Sequence, residues 1–231
     1  MKVFENQTFQ RVHDRNSGKI FSGFEFRKCT FISCLFISHD PKLRPTLRNA
    51  KLDNCEEVSC NLTGAIVEDV VVDRLNSSGG FGGVWTWGTA FKHVEFKGKI
   101  KSIVFKPLIE PRPAQELQHA FDRANDLYYS TVDWALDISQ GEFKECQIEG
   151  IPAQLIRRDP ETQVVVTRAK AALREWQKLD LSKTHWATSL AFLLSGRDQD
   201  VVLVAPKRSK KFHDLLAGIK LLREAGVAEP D

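Results

Sequence analysis

The sequence predicts an α+β chain built on a coiled sheet, from three observations. Phenylalanine recurs at 21, 26, 31 and 36 in FSGFEFRKCTFISCLF, small residues recur two positions before such apolar ones, and the last third changes to helical spacing. A step of five gives a single apolar stripe on neither regular element: it rotates a helical side chain by about 140° and sends a strand side chain to the opposite face. A chain that turns a corner of about 90° every five residues does give one stripe, and four such sides close a coil of about twenty residues that stacks at the strand spacing of about 4.8 Å.

The register continues after a one-residue slip at HDPKLRP (39–45), with Leu47, Leu52, Leu62, Val67 and Val72 on it. Two residues earlier stand Cys29, Cys34, Ala50, Cys55, Cys60 and Ala65, all small. This pattern resembles the pentapeptide-repeat family, whose five-residue units carry a central Leu or Phe with a small residue two positions before it. The resemblance implies a right-handed quadrilateral β-helix. It covers Phe21 to Val72 well, Phe4 and Phe9 weakly, and parts of 91–105 and 138–148 in fragments. Lys19 and Phe24 stand where small residues belong, and Glu57 takes a central position. A lone carboxylate inside would cost several kcal/mol, so a bulge that turns Val58 inward is expected there. With the slip, Phe26 is expected beside Leu47 and then Val67, Phe31 beside Leu52 and then Val72, and Cys34 beside Cys55.

The pairs Cys29-x4-Cys34 and Cys55-x4-Cys60 invite a zinc reading, but all four follow the packing register, as does Cys146, so they are read as small core residues and no metal or cofactor is expected. NSSGGFGGVWTWG (76–88) lacks the Lys-Ser/Thr ending of a phosphate loop. It reads as a glycine-rich turn that lets Trp85 and Trp87 fold back over the coil, or, if they are exposed, as a partner contact. KHVEFKGKIKSIVFKP (92–107) alternates as a half-buried strand does, with Lys97, Lys99, Lys101 and Lys106 on its polar face. Leu117, Phe121, Ala124 and Tyr128 mark a helical excursion over about 112–132, after which Ile138, Phe143 and Ile148 resume the register.

Residues 1–150 thus form the β-helix, and 151–231 a mostly helical capping region. In the latter, 169–179, 184–194 and 209–226 read as helices and DVVLVAP (200–206) as a buried strand. Lys207, Arg208, Lys210 and Lys211 form the densest basic cluster, at the start of a helix where the macrodipole disfavours cations. They are candidate contacts for an acidic partner.

Composition narrows the function. The chain has 231 residues, 42% apolar and 27% charged, with a formal net charge of +3. No apolar leader or spanning segment is visible, and five cysteines, an odd number, read as reduced thiols in the cytoplasm. The six histidines form no H-x-x-x-H or H-E-x-x-H arrangement, and only His185 with Ser189 has the spacing to share a helix face, so the reading leans away from an enzyme. Imitation of DNA, known for some pentapeptide-repeat proteins, needs an acidic rod. Residues 1–110 hold 16 Lys plus Arg against 12 Asp plus Glu, which disfavours it. A bacterial protein-binding module, toxin-neutralising or immunity-like, is the leading expectation, with a homo-oligomer possible. The alternatives are weak, salt-dependent nucleic-acid association through 207–211 and an enzyme with an unrecognised site.

Overall fold

Residues 1–78 and 83–229 are described by the structure, a computed structural model. Short alternating segments rich in β-branched and aromatic residues form strands, laid down turn upon turn in parallel. The first turn holds β1 (Lys2–Glu5), β2 (Thr8–Gln10) and β3 (His13–Arg15). The second holds β4 (Ile20–Arg27), β5 (Thr30–Ile32) and β6 (Leu35–Ile37), which pair with β1, β2 and β3 respectively. Then come β7 (Thr46–Val58) and β8 (Asn61–Thr63), β9 (Ile66–Ser78) and β10 (Val84–Trp87), and the 17-residue β11 (Ala90–Lys106). Helix α1 (Gln115–Tyr129) leaves the sheet before β12 (Leu136–Ile148) returns to pair with β11, and β13 (Ile156–Arg157) ends the parallel series.

The expected right-handed quadrilateral β-helix is corrected by this topology. The fifteen strands of the described residues belong to one large, mostly parallel sheet that curls into a half-barrel. Four flat sides would need a break at each corner. Instead β7, β9 and β11 run through, because single residues in the left-handed region bend them without ending them: Asn49 and Asn54, Asp69 and Arg74, His93 and Gly98. Asn, Asp and Gly adopt that conformation at least cost, and their spacing of five sets the curl.

The stacking also differs from expectation by one five-residue side. Phe26 pairs with Leu52, and Leu52 with Val72; Leu47 lies between Phe21 and Val67. Phe31 pairs with Glu57. The irregular segment 38–45 absorbs more chain than a one-residue slip, because it is anchored at both ends. The buried Ser38 hydroxyl donates to Asp40 O at 2.7 Å, and Arg44 turns into the interior. Cys34 consequently lies at Cys60, whose Sγ is 3.4 Å from Cys34 N, and Cys29 at Cys55, since Glu56 N donates to Cys29 O.

Glu57 does not bulge outward. It is 5% exposed and accepts hydrogen bonds from the Ser77 hydroxyl on the next turn and from Cys60 N at 3.0 Å. These bonds offset a burial that would otherwise expel the side chain.

The core is unevenly filled. Leu47, Leu52 and Glu57 of the third turn pair with the smaller Val67, Val72 and Ser77 of the fourth, and Leu62 with Thr86, while Phe91 and Phe96 of the fifth turn pair with the same two valines. The shortfall leaves an apolar cavity of about 210 Å³.

Helix α1 is held on the sheet by a buried arginine. Arg44 donates to Gly64 O at 2.9 Å, Ala65 O at 2.8 Å, Gly88 O at 3.2 Å and Asn125 Oδ1 of α1 at 2.8 Å, with its guanidinium over the Phe121 ring. Gly64 lies beneath the helix with φ +60°, and a Cβ there would fall 2.4 Å from Ser38 O and 2.8 Å from Phe121, so the approach requires glycine.

The C-terminal part adds a strand absent from the sequence expectation. β14 (Gln163–Thr167) runs antiparallel to β15 (Asp200–Val204), and β15 meets β12 where Val202 faces Ile148. Around this hairpin pack α2 (Arg168–Ala172), α3 (Trp186–Ser195) and α4 (Phe212–Glu224), which enclose a second core that includes Trp186, Leu190 and Ile219. The helix expected over 169–179 stops at Ala172, because Arg174 takes a left-handed conformation, and it resumes as one 3-10 turn.

Candidate interface at the first turn

A stacked sheet satisfies each strand from both sides except at its ends. At the start of this sheet β1, β2 and β3 each pair only with the second turn, so their outer edges carry no partner among the described residues. Asn6, Arg11 and Asn16, all left-handed, form the corners and donate inward to Arg27 O, Ile32 O and Ile37 O. What lies inside those corners is aromatic. Phe4 stacks on Phe26 at 5.4 Å and Phe9 on Phe31 at 5.4 Å, while Phe4 meets Phe9 edge-on at 5.3 Å. Among the described residues no further turn covers these rings; both are half-buried, and every other residue of 1–13 is exposed.

Apolar side chains are also exposed here, as they are at Leu127, Leu173 and Phe192 elsewhere. Met1, Val3, Val12 and Ile20 are 71%, 48%, 44% and 58% exposed. The strands are only three or four residues long and are flanked by Lys2, Glu5, Arg11 and Arg15, which limits indiscriminate strand addition. Backbone donors and acceptors in three short rows, with an aromatic centre and a charged rim, can accept a complementary edge and an apolar cap together.

The sequence-predicted contacts lie elsewhere. Trp85 and Trp87 stack on each other on β10, with ring centroids 5.5 Å apart, and both are half-buried while Thr86 between them points inward. Gly79, Gly80 and Gly82 of the glycine-rich turn lie outside the described residues. In the basic cluster, Lys207 pairs with Asp159 at 2.8 Å, and Arg208 donates to Ile100 O of β11 at 3.3 Å. Lys210 and Lys211 are exposed, Lys211 immediately before α4. The lysines of β11 are partly engaged, Lys97 with Glu95 and Lys106 with Glu149.

Neither cysteines nor histidines assemble a reactive centre. The thiols of Cys29, Cys34, Cys55 and Cys60 each donate to a carbonyl of the turn below, those of Phe4, Phe9, Phe26 and Phe31, at 3.4 to 3.5 Å. Burial pushes the Cys60 thiol up to about 12 and the Cys55 thiol upward too, and no cluster able to hold a metal occurs among the described residues. The Ser189 hydroxyl donates to the backbone oxygen of His185, not to its ring. His93 bridges two carboxylates, Asp69 at 2.9 Å and Asp133 at 2.6 Å, from opposite ring nitrogens. Burial opposes its protonation, but the two carboxylates prevail and raise its pKa. With both nitrogens occupied it serves as a clamp between turns.

The first-turn surface had only a faint trace in the sequence, the weak register of Phe4 and Phe9. No family model and no curated protein matches the chain. None of the described helices is long and apolar enough to cross a membrane.

Proposed function

We propose that the chain is a non-catalytic interaction protein that binds a partner protein through the open edge of its first turn. One observation carries the reading: β1, β2 and β3 present unpaired outer edges around the half-covered rings of Phe4 and Phe9. Pairing of main-chain groups supplies affinity in strand addition, and the apolar centre supplies the buried contact. The partner therefore brings a short extended segment and an apolar group that covers the two rings. A toxin-neutralising or immunity-like role suits a scaffold of this kind, by analogy of architecture alone, and kinship with the pentapeptide-repeat family rests on the register of Phe21 to Val72. Five free thiols favour a reducing compartment such as the cytoplasm. The nucleic-acid reading is weakened, because Lys207 already pairs with Asp159.

The test compares capture from host lysate by the parent and by a Val3→Glu/Val12→Glu variant. Both side chains are exposed, so the variant should fold as the parent does. The proteins retained by the parent should be lost from the variant. Retention of the same set by both would refute the reading, and loss through Lys210→Glu/Lys211→Glu instead would move the contact to the basic cluster.

A further inference from the structure

The charges around the first turn restrict the kind of segment that its open edge can take. Residues 1–19 carry four cations, Lys2, Arg11, Arg15 and Lys19, against two carboxylates, Glu5 and Asp14. All four cations are exposed, and none has a carboxylate within ion-pair distance among the described residues. The Lys2 ammonium lies 4.9 Å over the Phe4 ring, which sets a positive charge at the aromatic centre. Both carboxylates are engaged nearby: Asp14 accepts from the Ser17 hydroxyl, and Glu5 stands in register with Arg27. Later turns answer many of their cations. Arg27 pairs with Glu25, Lys51 with Glu25, Arg48 with Glu68, Arg74 with Asp53 and Lys97 with Glu95, each on the same or a neighbouring turn. The first turn has a neighbour on one side only, and carboxylates arriving from its open side would complete the same pattern.

We propose that the partner's segment is acidic, an extended stretch that alternates apolar with acidic residues; this rests on the open first-turn edge being the binding surface. The main chain sets the first requirement. Thr30 N donates to Gln7 O and Leu35 N to Val12 O, both at 2.9 Å, from the second turn to the first. Thr8 and His13 hold the corresponding places one turn earlier, so their N–H groups face away from the stack, toward an added strand. Alternation is the second requirement, because successive side chains of a strand point to opposite faces. One face of the segment then covers Phe4 and Phe9, and the other brings its carboxylates to the cationic rim. A second copy of this chain fits poorly, since pairing the two first turns would set the same four cations against each other. A nucleic acid supplies negative charge but no main chain spaced to pair along the strands.

Three probes test this on the full chain by backbone amide NMR: a synthetic decapeptide alternating glutamate with valine and phenylalanine, the same peptide with lysine for glutamate, and single-stranded decathymidylate. The acidic peptide should shift the amides of β1, β2 and β3 and bind at least about tenfold more tightly than the basic one, because like charges across an interface repel. Its affinity should fall as salt rises. Lys2→Gln/Arg11→Gln/Arg15→Gln changes only exposed side chains and should fold as the parent does; it should erase the preference between the peptides. Equal binding of both peptides, a preference unchanged in that variant, or first-turn amides unmoved by millimolar acidic peptide overturns the proposal. Tighter binding of decathymidylate at the same amides overturns it in favour of a nucleic acid, and a concentration-dependent dimer that protects those amides does so in favour of a second copy. The edge itself is judged apart, with Val3→Ser/Val12→Ser, which removes apolar contact and adds no charge. Capture from lysate that this variant loses, but that neither salt nor the Gln variant alters, keeps the edge and discards the acidic segment.

Discussion

Replacing Arg44 distinguishes a buried charge that holds α1 by its hydrogen bonds from one that is merely enclosed. The residue is 6% exposed, and its guanidinium has no carboxylate partner among the described residues. Burial lowers its pKa to about 10, which at 1.36 kcal/mol per tenfold corresponds to roughly 3 kcal/mol of unfavourable desolvation. Against this stand four donated bonds. Ala65 O also accepts from Ala90 N, and Gly88 O also accepts from Asn125 Nδ2, so both keep a partner without Arg44. Gly64 O and Asn125 Oδ1 lose theirs, at about 1 to 3 kcal/mol each. Arg44→Met should therefore destabilise by only about 0 to 3 kcal/mol, since relief of the desolvation offsets most of the loss. Arg44→Lys should be worse, because an ammonium keeps the buried charge and cannot reach the same forked set of acceptors. Urea denaturation of both variants measures this, with limited proteolysis at 107–114 reporting release of α1. Equal stability of parent and Lys variant, or a Met variant less stable than the Lys variant, would refute the reasoning.

Three further outcomes are expected. Glu57 has a pKa raised from its ordinary 4.5 by burial, so its contribution is present in full below pH 4.5 and is lost as pH rises through the raised value. Glu57→Gln does not titrate, so in denaturant melts between pH 4 and 8 the parent should lose stability relative to it; a constant difference would contradict the burial. His93 lies above its ordinary 6.5, so the clamp should help most below that pH and fade above it, and His93→Gln should narrow its deficit as pH rises. A deficit that grows with pH would reverse the sign and exclude the clamp. Mild oxidation followed by peptide mapping should join Cys34 to Cys60 or Cys29 to Cys55, whereas a Cys34–Cys55 link would restore the register expected from sequence.

The inward positions were legible where residue size alternates consistently, as at Cys29, Ala50, Ala65, Val67 and Val72, because a period of five has few physical explanations. The partners of those positions were not. They depend on how much chain the 38–45 segment consumes, and Ser38 and Arg44 carry no local sign that one is sealed in and the other turned into the core. Glu57 stays inside, against its local sequence, for a related reason: its satisfaction comes from Ser77, twenty residues away. The curl itself comes from left-handed residues inside strands, and Arg74 is not a residue type that announces such a conformation. A signal for β14 was present in the β-branched run 164–167, whose residue types favour a strand. For the candidate interface, the sequence shows aromatic residues at 4 and 9 but cannot show that nothing covers them. Lys207 looked free because Asp159 lies 48 positions earlier.

Amide hydrogen exchange on the captured complex tests the central claim most directly. In the free protein the outward amides of β1, β2 and β3 should exchange rapidly, and in the complex they should become protected together with a change in the environment of Phe4 and Phe9. Protection confined to α4 and residues 207–211, with the first turn exchanging as before, would contradict the account.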